Sequence, residues 1–280
     1  MWAQHVLHVI GLLLCLSACV AELNDALIEW ENITISTRDR TILSMGPGSI
    51  RKGRLVGVLG PSGCGKSTFL NVLGGLWKNT NNAFTKEVQM VTSLSSDQIA
   101  VVPQDYSFFE MLTVRETLVL SARIREVMDA GMSHYGGVKK DGYILEQVEN
   151  IMRNLSLLKI SSSQVGDPFN TRGISGGERK RLSIACELLG DEKKLIIADE
   201  PTSGLDSFQA QLTINLLRQL AVDKDIAVVL THSLTNSLTH YLTHSLTHSG
   251  LLDPSASKCH LVHVRRRHSV NTVRKNCLLW

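Results

Sequence analysis

Short apolar runs alternate with longer stretches of helical period from about Leu27 to about Leu230. Ile33 and Ile35 give a strand-like alternation, with Trp30 just ahead of it. Leu55-Val56-Gly57-Val58-Leu59 is an apolar run bounded by Gly53 and Gly60, the pattern of a short buried strand. Phe69, Leu70, Val72, Leu73 and Leu76 then mark a helix. The spacing predicts a second helix over residues 113–128, carrying Val114, Leu118, Ala122 and Arg125. A third covers residues 143–158, with Ile144, Leu145, Val148, Ile151, Met152 and Leu155 on one stripe. The Gly/Lys-rich residues 131–142 read as a loop, and residues 161–170 as a polar linker. Residues 195–198 read as a strand, 207–220 as a helix and 226–230 as a last core strand. Strand followed by helix along the chain predicts an α/β fold.

Two ends depart from this pattern. Val6 to Val20 is apolar apart from His8 and Ser17, the length of a signal-peptide core and short for a membrane span. Leu16-Ser17-Ala18-Cys19 resembles a lipoprotein cleavage box, but no Lys or Arg precedes the apolar core. A signal, a buried or membrane-touching helix and a mis-set start all stay open. Residues 231–249 repeat Thr-His-Ser-Leu, with substitutions at Asn236 and Tyr241. A tandem tetranucleotide encodes such a repeat in every forward frame, so the chain is expected to leave its original reading near Thr231 through a frameshift or a retained intron. His240, His244 and His248 would align on a helix as a metal site; low-complexity sequence is the plainer expectation. Arg265-Arg266-Arg267 is read as a solvated charge cluster. The expected organisation is an apolar segment over 1–24, one domain over 25–231 and a low-complexity tail over 232–280.

Composition adds little. The chain has 280 residues, 43% hydrophobic and 20% charged, with a net charge of +3. That is ordinary for a globular α/β protein and gives no reason to expect a nucleic-acid partner. Six cysteines are scattered without finger spacing or a disulfide framework, as suits a reducing cytosol.

The candidate chemistry is more specific. Gly60-Pro61-Ser62-Gly63-Cys64-Gly65-Lys66-Ser67 fits G-x-x-x-x-G-K-[ST] between a strand and a helix, the context this phosphate-binding loop requires. Its backbone N–H groups face inward, and the following helix adds partial positive charge. Lys66 is expected to reach the β- and γ-phosphates of ATP, Ser67 to ligate Mg²⁺ and Thr68 to support the α-phosphate. Pro61 and Ser62 complete the loop, and Cys64 is a small spacer in it. The run 195–198 ends in Asp199 and Glu200, where an α/β sheet binds ligand. Asp199 is placed to hold Mg²⁺ and Glu200 to act as general base. The run Arg179-Lys180-Arg181 reads as a solvated helix face.

Between these elements stands Ser175-Gly176-Gly177-Glu178. With Val102-Pro103-Gln104-Asp105 and Asp199-Glu200-Pro201-Thr202-Ser203-Gly204-Leu205-Asp206, this order resembles the nucleotide-binding domain of ATP-binding cassette (ABC) proteins from about residue 27 to 230. Local matches look like the G-type, White-like half-transporters. The resemblance implies a P-loop NTPase fold with a RecA-like core sheet, a β subdomain and a helical insert. It implies that Gln104 senses the γ-phosphate and Mg²⁺. Ser175, Gly176, Gly177 and Glu178 would cap the ATP of a partner cassette, and Asp206 would contact that partner. The G group carries a histidine in Thr-aliphatic-His-Gln-Pro after the last core strand. Here the text is Thr231-His232-Ser233, so His232 sits one place early and its role as switch is in doubt. Trp30 is either an adenine-stacking or a core residue.

The expected activity is magnesium-dependent ATP hydrolysis that drives export of a lipid-like or xenobiotic substrate. The cassette would sit on the cytosolic side of a membrane, and its transmembrane domain is missing from this chain. The chain would be cytosolic and soluble if it ends as written. An ATP-binding regulator with little hydrolysis is the alternative.

Overall fold

The computed structural model describes residues 26–38, 40–76, 85–132, 141–167, 173–190, 192–233, 260–267 and 270–274. The apolar N-terminal segment and the histidine repeat from residue 234 lie outside the described residues.

The chain forms two sheets. In the first, β1 (Ala26–Ser36) pairs antiparallel with β5 (Thr85–Thr92) along one edge. Its other edge is divided between β2 (Thr41–Met45) and β3 (Gly48–Arg51). The second sheet has the order β10 (Val270–Arg274), β9 (His260–Arg267), β4 (Leu55–Gly60), β8 (Ala227–Ser233), β7 (Leu195–Ala198), β6 (Ile99–Val102). Within it β4, β8, β7 and β6 run parallel. The helices are α1 (Lys66–Leu73), α2 (Val114–Met132), α3 (Asp141–Asn154), α4 (Gly176–Glu187) and α5 (Ser207–Asp223).

The parallel sheet is buried on both faces, which is why its strands read as unbroken apolar runs. Side chains alternate between two cores. Val56, Val58, Leu195, Ile197, Ala227 and Val229 pack with α1 and with the antiparallel sheet through Phe69, Leu70, Ile33, Ile35 and Trp30. Leu55, Ile196, Ala198, Val228 and Leu230 pack with α2, α3, α4 and α5 through Leu118, Met152, Leu182 and Leu217. Trp30 is therefore a core residue: its indole is buried, donates to the Gly46 carbonyl at 2.7 Å and meets Phe69 edge-on, with centroids 5.5 Å apart. It does not serve as an adenine platform.

Several expected boundaries shift. The first helix ends at Leu73, and Leu76 beyond it is exposed. On α3, Ile144, Val148 and Met152 are buried but Leu145 faces outward, because one step of about 100° carries it off the stripe. The residues after α3 carry local structure: Leu158–Ile160 forms a 3₁₀ turn, and Gln164 bridges to Thr113. The chain beyond residue 231 also enters the domain. The strand β8 continues through Ser233, and β9 (His260–Arg267) pairs antiparallel with β4, with β10 (Val270–Arg274) beyond it. The edge of β4 opposite β8 thereby acquires backbone partners for a row of peptide groups otherwise left open. Among the described residues, no helix is long and apolar enough to cross a membrane.

Phe69→Ala should destabilise the chain by about 3–5 kcal/mol in urea unfolding, because it empties the joint between α1 and the antiparallel sheet. Leu145→Ala, at an exposed position, should stay within about 0.5 kcal/mol.

Candidate functional site

The loop between β4 and α1 is held by its own backbone. Gly65 has φ 98°, a left-handed conformation that favours glycine, and an added Cβ would meet the Ile42 carbonyl oxygen at 2.8 Å. The side chain of Lys66 is buried and turns back over the loop. Its ammonium donates to the carbonyls of Gly60 and Pro61, each at 3.0 Å. It also stands 3.9 Å from the Glu200 carboxylate. The loop and the acid pair are thus brought together, as Lys66 sits where β4 ends and Glu200 where β7 ends. Ser62 and Gly63 are exposed, as is Ser67; Pro61, Cys64 and Thr68 are half-buried.

The acids leave β7 one after the other. Asp199 still follows the strand, its N–H donating to the Val102 carbonyl at 3.0 Å. At Glu200 the chain turns, with φ 43°. Two side chains of β8 grip this turn. The Thr231 hydroxyl donates to Asp199 Oδ1 at 2.6 Å and accepts the Glu200 N–H at 2.8 Å. Next to it, His232 Nδ1 lies 3.3 Å from the hydroxyl of Thr202.

His232 lies in register with Leu59, is 4% exposed, and its Nε2 is buried with no hydrogen-bond partner. Burial first, and then the nearby Lys66 ammonium, hold its pKa below the ordinary 6.5 of histidine. The ring is therefore neutral near pH 7. The ring thus lies beside Thr202 and close enough to Lys66 to feel its charge.

The glycine-rich turn lies elsewhere. Ser175 caps α4: its hydroxyl accepts the Glu178 N–H, and the Glu178 carboxylate accepts the Ser175 N–H at 2.8 Å. Gly176, Gln104, Asp105, Lys180, Ser203, Gly204 and Leu205 line one cleft of about 420 Å³. No residue of 60–68 lines that cleft among the described residues. Gln104 is exposed, and Asp206 caps α5 by accepting the Gln209 N–H at 2.9 Å.

The three cations of α4 are not a solvated face, which corrects the sequence expectation. Arg179 donates to the carbonyls of Val165 and Gly166, at 3.0 and 2.6 Å, and lies over the Phe108 ring. Arg181 is buried and donates to Gln209 at 3.1 Å. The Lys180 ammonium donates to the Gln104 carbonyl. Its pKa is lowered by burial, which the fields of Asp105, Glu200 and Asp199 partly offset. Helix α4 lies against α2, α5 and β6, so no face of this run is left wholly to water. Sequence reasoning also passed over Thr231 and Thr202. The available signal was a hydroxyl residue closing an apolar strand parallel to the one that carries the acids.

The site suits a nucleotide with magnesium. A left-handed glycine loop ahead of a helix start, a buried ammonium and a neutral ring nitrogen without a partner form a cradle for phosphate oxygens. Asp199 and Ser67 carry oxygen donors of the kind Mg²⁺ takes, whereas Gln104 lies in the separate cleft.

Residues 47–203, more than half of the chain, match the ABC transporter family. The chain belongs to that family and carries its ATP-binding domain, a P-loop NTPase fold. It is 38% identical over 217 residues to ABC transporter G family member 7 of Arabidopsis thaliana, covering 73% of this chain and 28% of that protein. It is 42% identical over 200 residues to G family member 25 of the same plant, covering 70% and 28%. Protein white of Ceratitis capitata is 36% identical over 185 residues, covering 64% and 26%. The chain thus spans about a quarter of the length of these relatives. A solved structure described as an inward-facing metal-chelate type ABC transporter superposes with TM-score 0.55 at 25% identity, covering 74% of each chain.

The depressed histidine fixes the sign of a pH effect. The unfolded chain takes up the His232 proton first as the pH falls, so stability is full above about 6.5 and declines below it toward the lower folded pKa. His232→Gln should flatten the fall in melting temperature between about pH 7 and about pH 5. Thermal melts across that window check this.

Proposed function

We propose that this chain is the ATP-hydrolysing cassette of a G-type half-transporter. It couples hydrolysis to export of a lipid-like or xenobiotic substrate from the cytosolic face of a membrane. The observation that carries the reading is the meeting of Lys66, Asp199, Glu200 and His232 at the adjoining ends of β4, β7 and β8. The loop amides and Lys66 bind and polarise the terminal phosphates. Glu200 takes the proton of the attacking water as the bond between the β- and γ-phosphates breaks, giving ADP and phosphate. His232, neutral and with Nε2 unpartnered, donates to the γ-phosphate and orients the water. When bound, Mg²⁺ would neutralise phosphate charge; Ser67 and Asp199 would hold it, with Gln104 joining them as the family resemblance implies.

Completion of the site requires a second cassette. Ser175, Gly176, Gly177 and Glu178 stand at the start of α4, where Gly176 lines a cleft with Gln104 that includes none of the described phosphate-loop residues. They are therefore free to close over the nucleotide of a partner, with Asp206 beside them. Transport belongs to a membrane domain that such a pair would drive.

Phosphate release from Mg-ATP by the purified chain tests the reading. Lys66→Ala should abolish both binding and release. Glu200→Gln should keep ATP bound while lowering release by about 10²-fold or more. Nucleotide bound by the wild type with no phosphate released would favour an ATP-binding regulator instead.

A further inference from the structure

Thr231 stands two residues before the end of β8, at a position set by register. Ala198 pairs with Leu230, so Asp199 and Thr231 are the next neighbours along the two strands. Both share the parity of Ile197 and Val229 and face the α1 side of the sheet. The Thr231 side chain is fully buried, so water does not compete for its hydroxyl. The single hydroxyl hydrogen is committed to Asp199 Oδ1 at 2.6 Å, which leaves Oδ2 for a cation. A lone pair of the same oxygen takes the Glu200 N–H at 2.8 Å. Glu200 needs that hold, because φ 43° is a conformation that L-residues keep only where their surroundings impose it.

We propose that Thr231 is a positioning residue for both acids. It turns the Asp199 carboxylate toward the divalent cation and fixes the backbone from which Glu200 projects. The assignment rests on the reading of this site as a magnesium-dependent ATPase. Groups one bond removed from a metal tune its affinity by orienting the ligand itself. Here one buried hydroxyl sets the metal carboxylate and the base together, so its loss acts on cation binding and on the chemical step while sparing contacts to the nucleotide. Valine has the shape of threonine without the hydroxyl, and serine keeps the hydroxyl without the methyl.

Binding of a fluorescent ATP analogue to the full chain, titrated with MgCl₂, provides the test, with phosphate release measured in parallel. Thr231→Val should raise the Mg²⁺ concentration for half-maximal effect by about tenfold or more, and leave metal-free binding of the analogue within about twofold. Its kcat should fall by about 10²-fold with little change in KM. Thr231→Ser should return both readings to within about threefold of wild type. A Thr231→Val chain with a wild-type magnesium titration overturns the proposal. So does loss of metal-free binding that serine does not restore, which marks a purely structural role. If the wild type releases no phosphate, the ATPase reading fails by itself, and the magnesium titration still decides the role of Thr231. Where Thr231→Val is insoluble, Thr231→Cys takes its place, and a wild-type titration for that variant is equally fatal.

Discussion

Burial of both faces of the parallel strands β4, β8 and β7 is the constraint from which the rest of the molecule follows. A sheet covered on each side must keep strict alternation, since a slip by one residue would exchange its two cores. That alternation holds from Leu195 to Ala198 and from Ala227 to Leu230. Carried one step further, it delivers Asp199 and Thr231 to the face of α1 and the phosphate loop. Polar groups are absent along the strands and gather at the carboxyl ends, where parallel sheets open to ligand. The chemistry of the site is thus a product of packing several residues away.

The same register explains His232. It pairs with Leu59 one residue before the end of β8, and burial keeps its ring neutral. A charged ring there would be buried beside the Lys66 ammonium, which desolvation and repulsion make costly. Thr231 and His232 point to opposite faces of β8 and still grip the same turn, through Asp199 and Glu200 on one side and Thr202 on the other. The turn is thereby clamped from two directions, which suits a left-handed Glu200.

The helical layer is tied to the core by charge as well as by apolar contact. Lys180 reaches the Gln104 carbonyl, Arg181 reaches Gln209 of α5, and Arg179 reaches the chain at Val165 and Gly166. Charge-assisted bonds to carbonyls are stronger than neutral ones and directional. Helix α4, whose start carries Ser175, is therefore tied to the loop of Gln104. In this arrangement the lysine joins the glycine-rich turn to a residue read as a phosphate sensor.

Local pattern alone was enough for the strand–loop–helix at Gly60–Ser67, the strand before Asp199 and the stripe of Ile144, Val148 and Met152, because each is written in consecutive residues by burial or backbone geometry. Length was less legible: Leu76 and Leu145 fit an apolar count yet are exposed, since a period cannot say where the covering layer ends. The roles of Arg179, Lys180, Arg181, Thr231 and Trp30 were decided by tertiary structure. Each depends on a partner distant in sequence: Gln104 for Lys180, Asp199 for Thr231, Phe69 for Trp30. A charge or hydroxyl carries no mark of its partner until the sheet register and helix packing bring the two within hydrogen-bond reach. Which chemistry the chain carries is thus legible residue by residue, whereas the residues that hold that chemistry in place emerge from the fold.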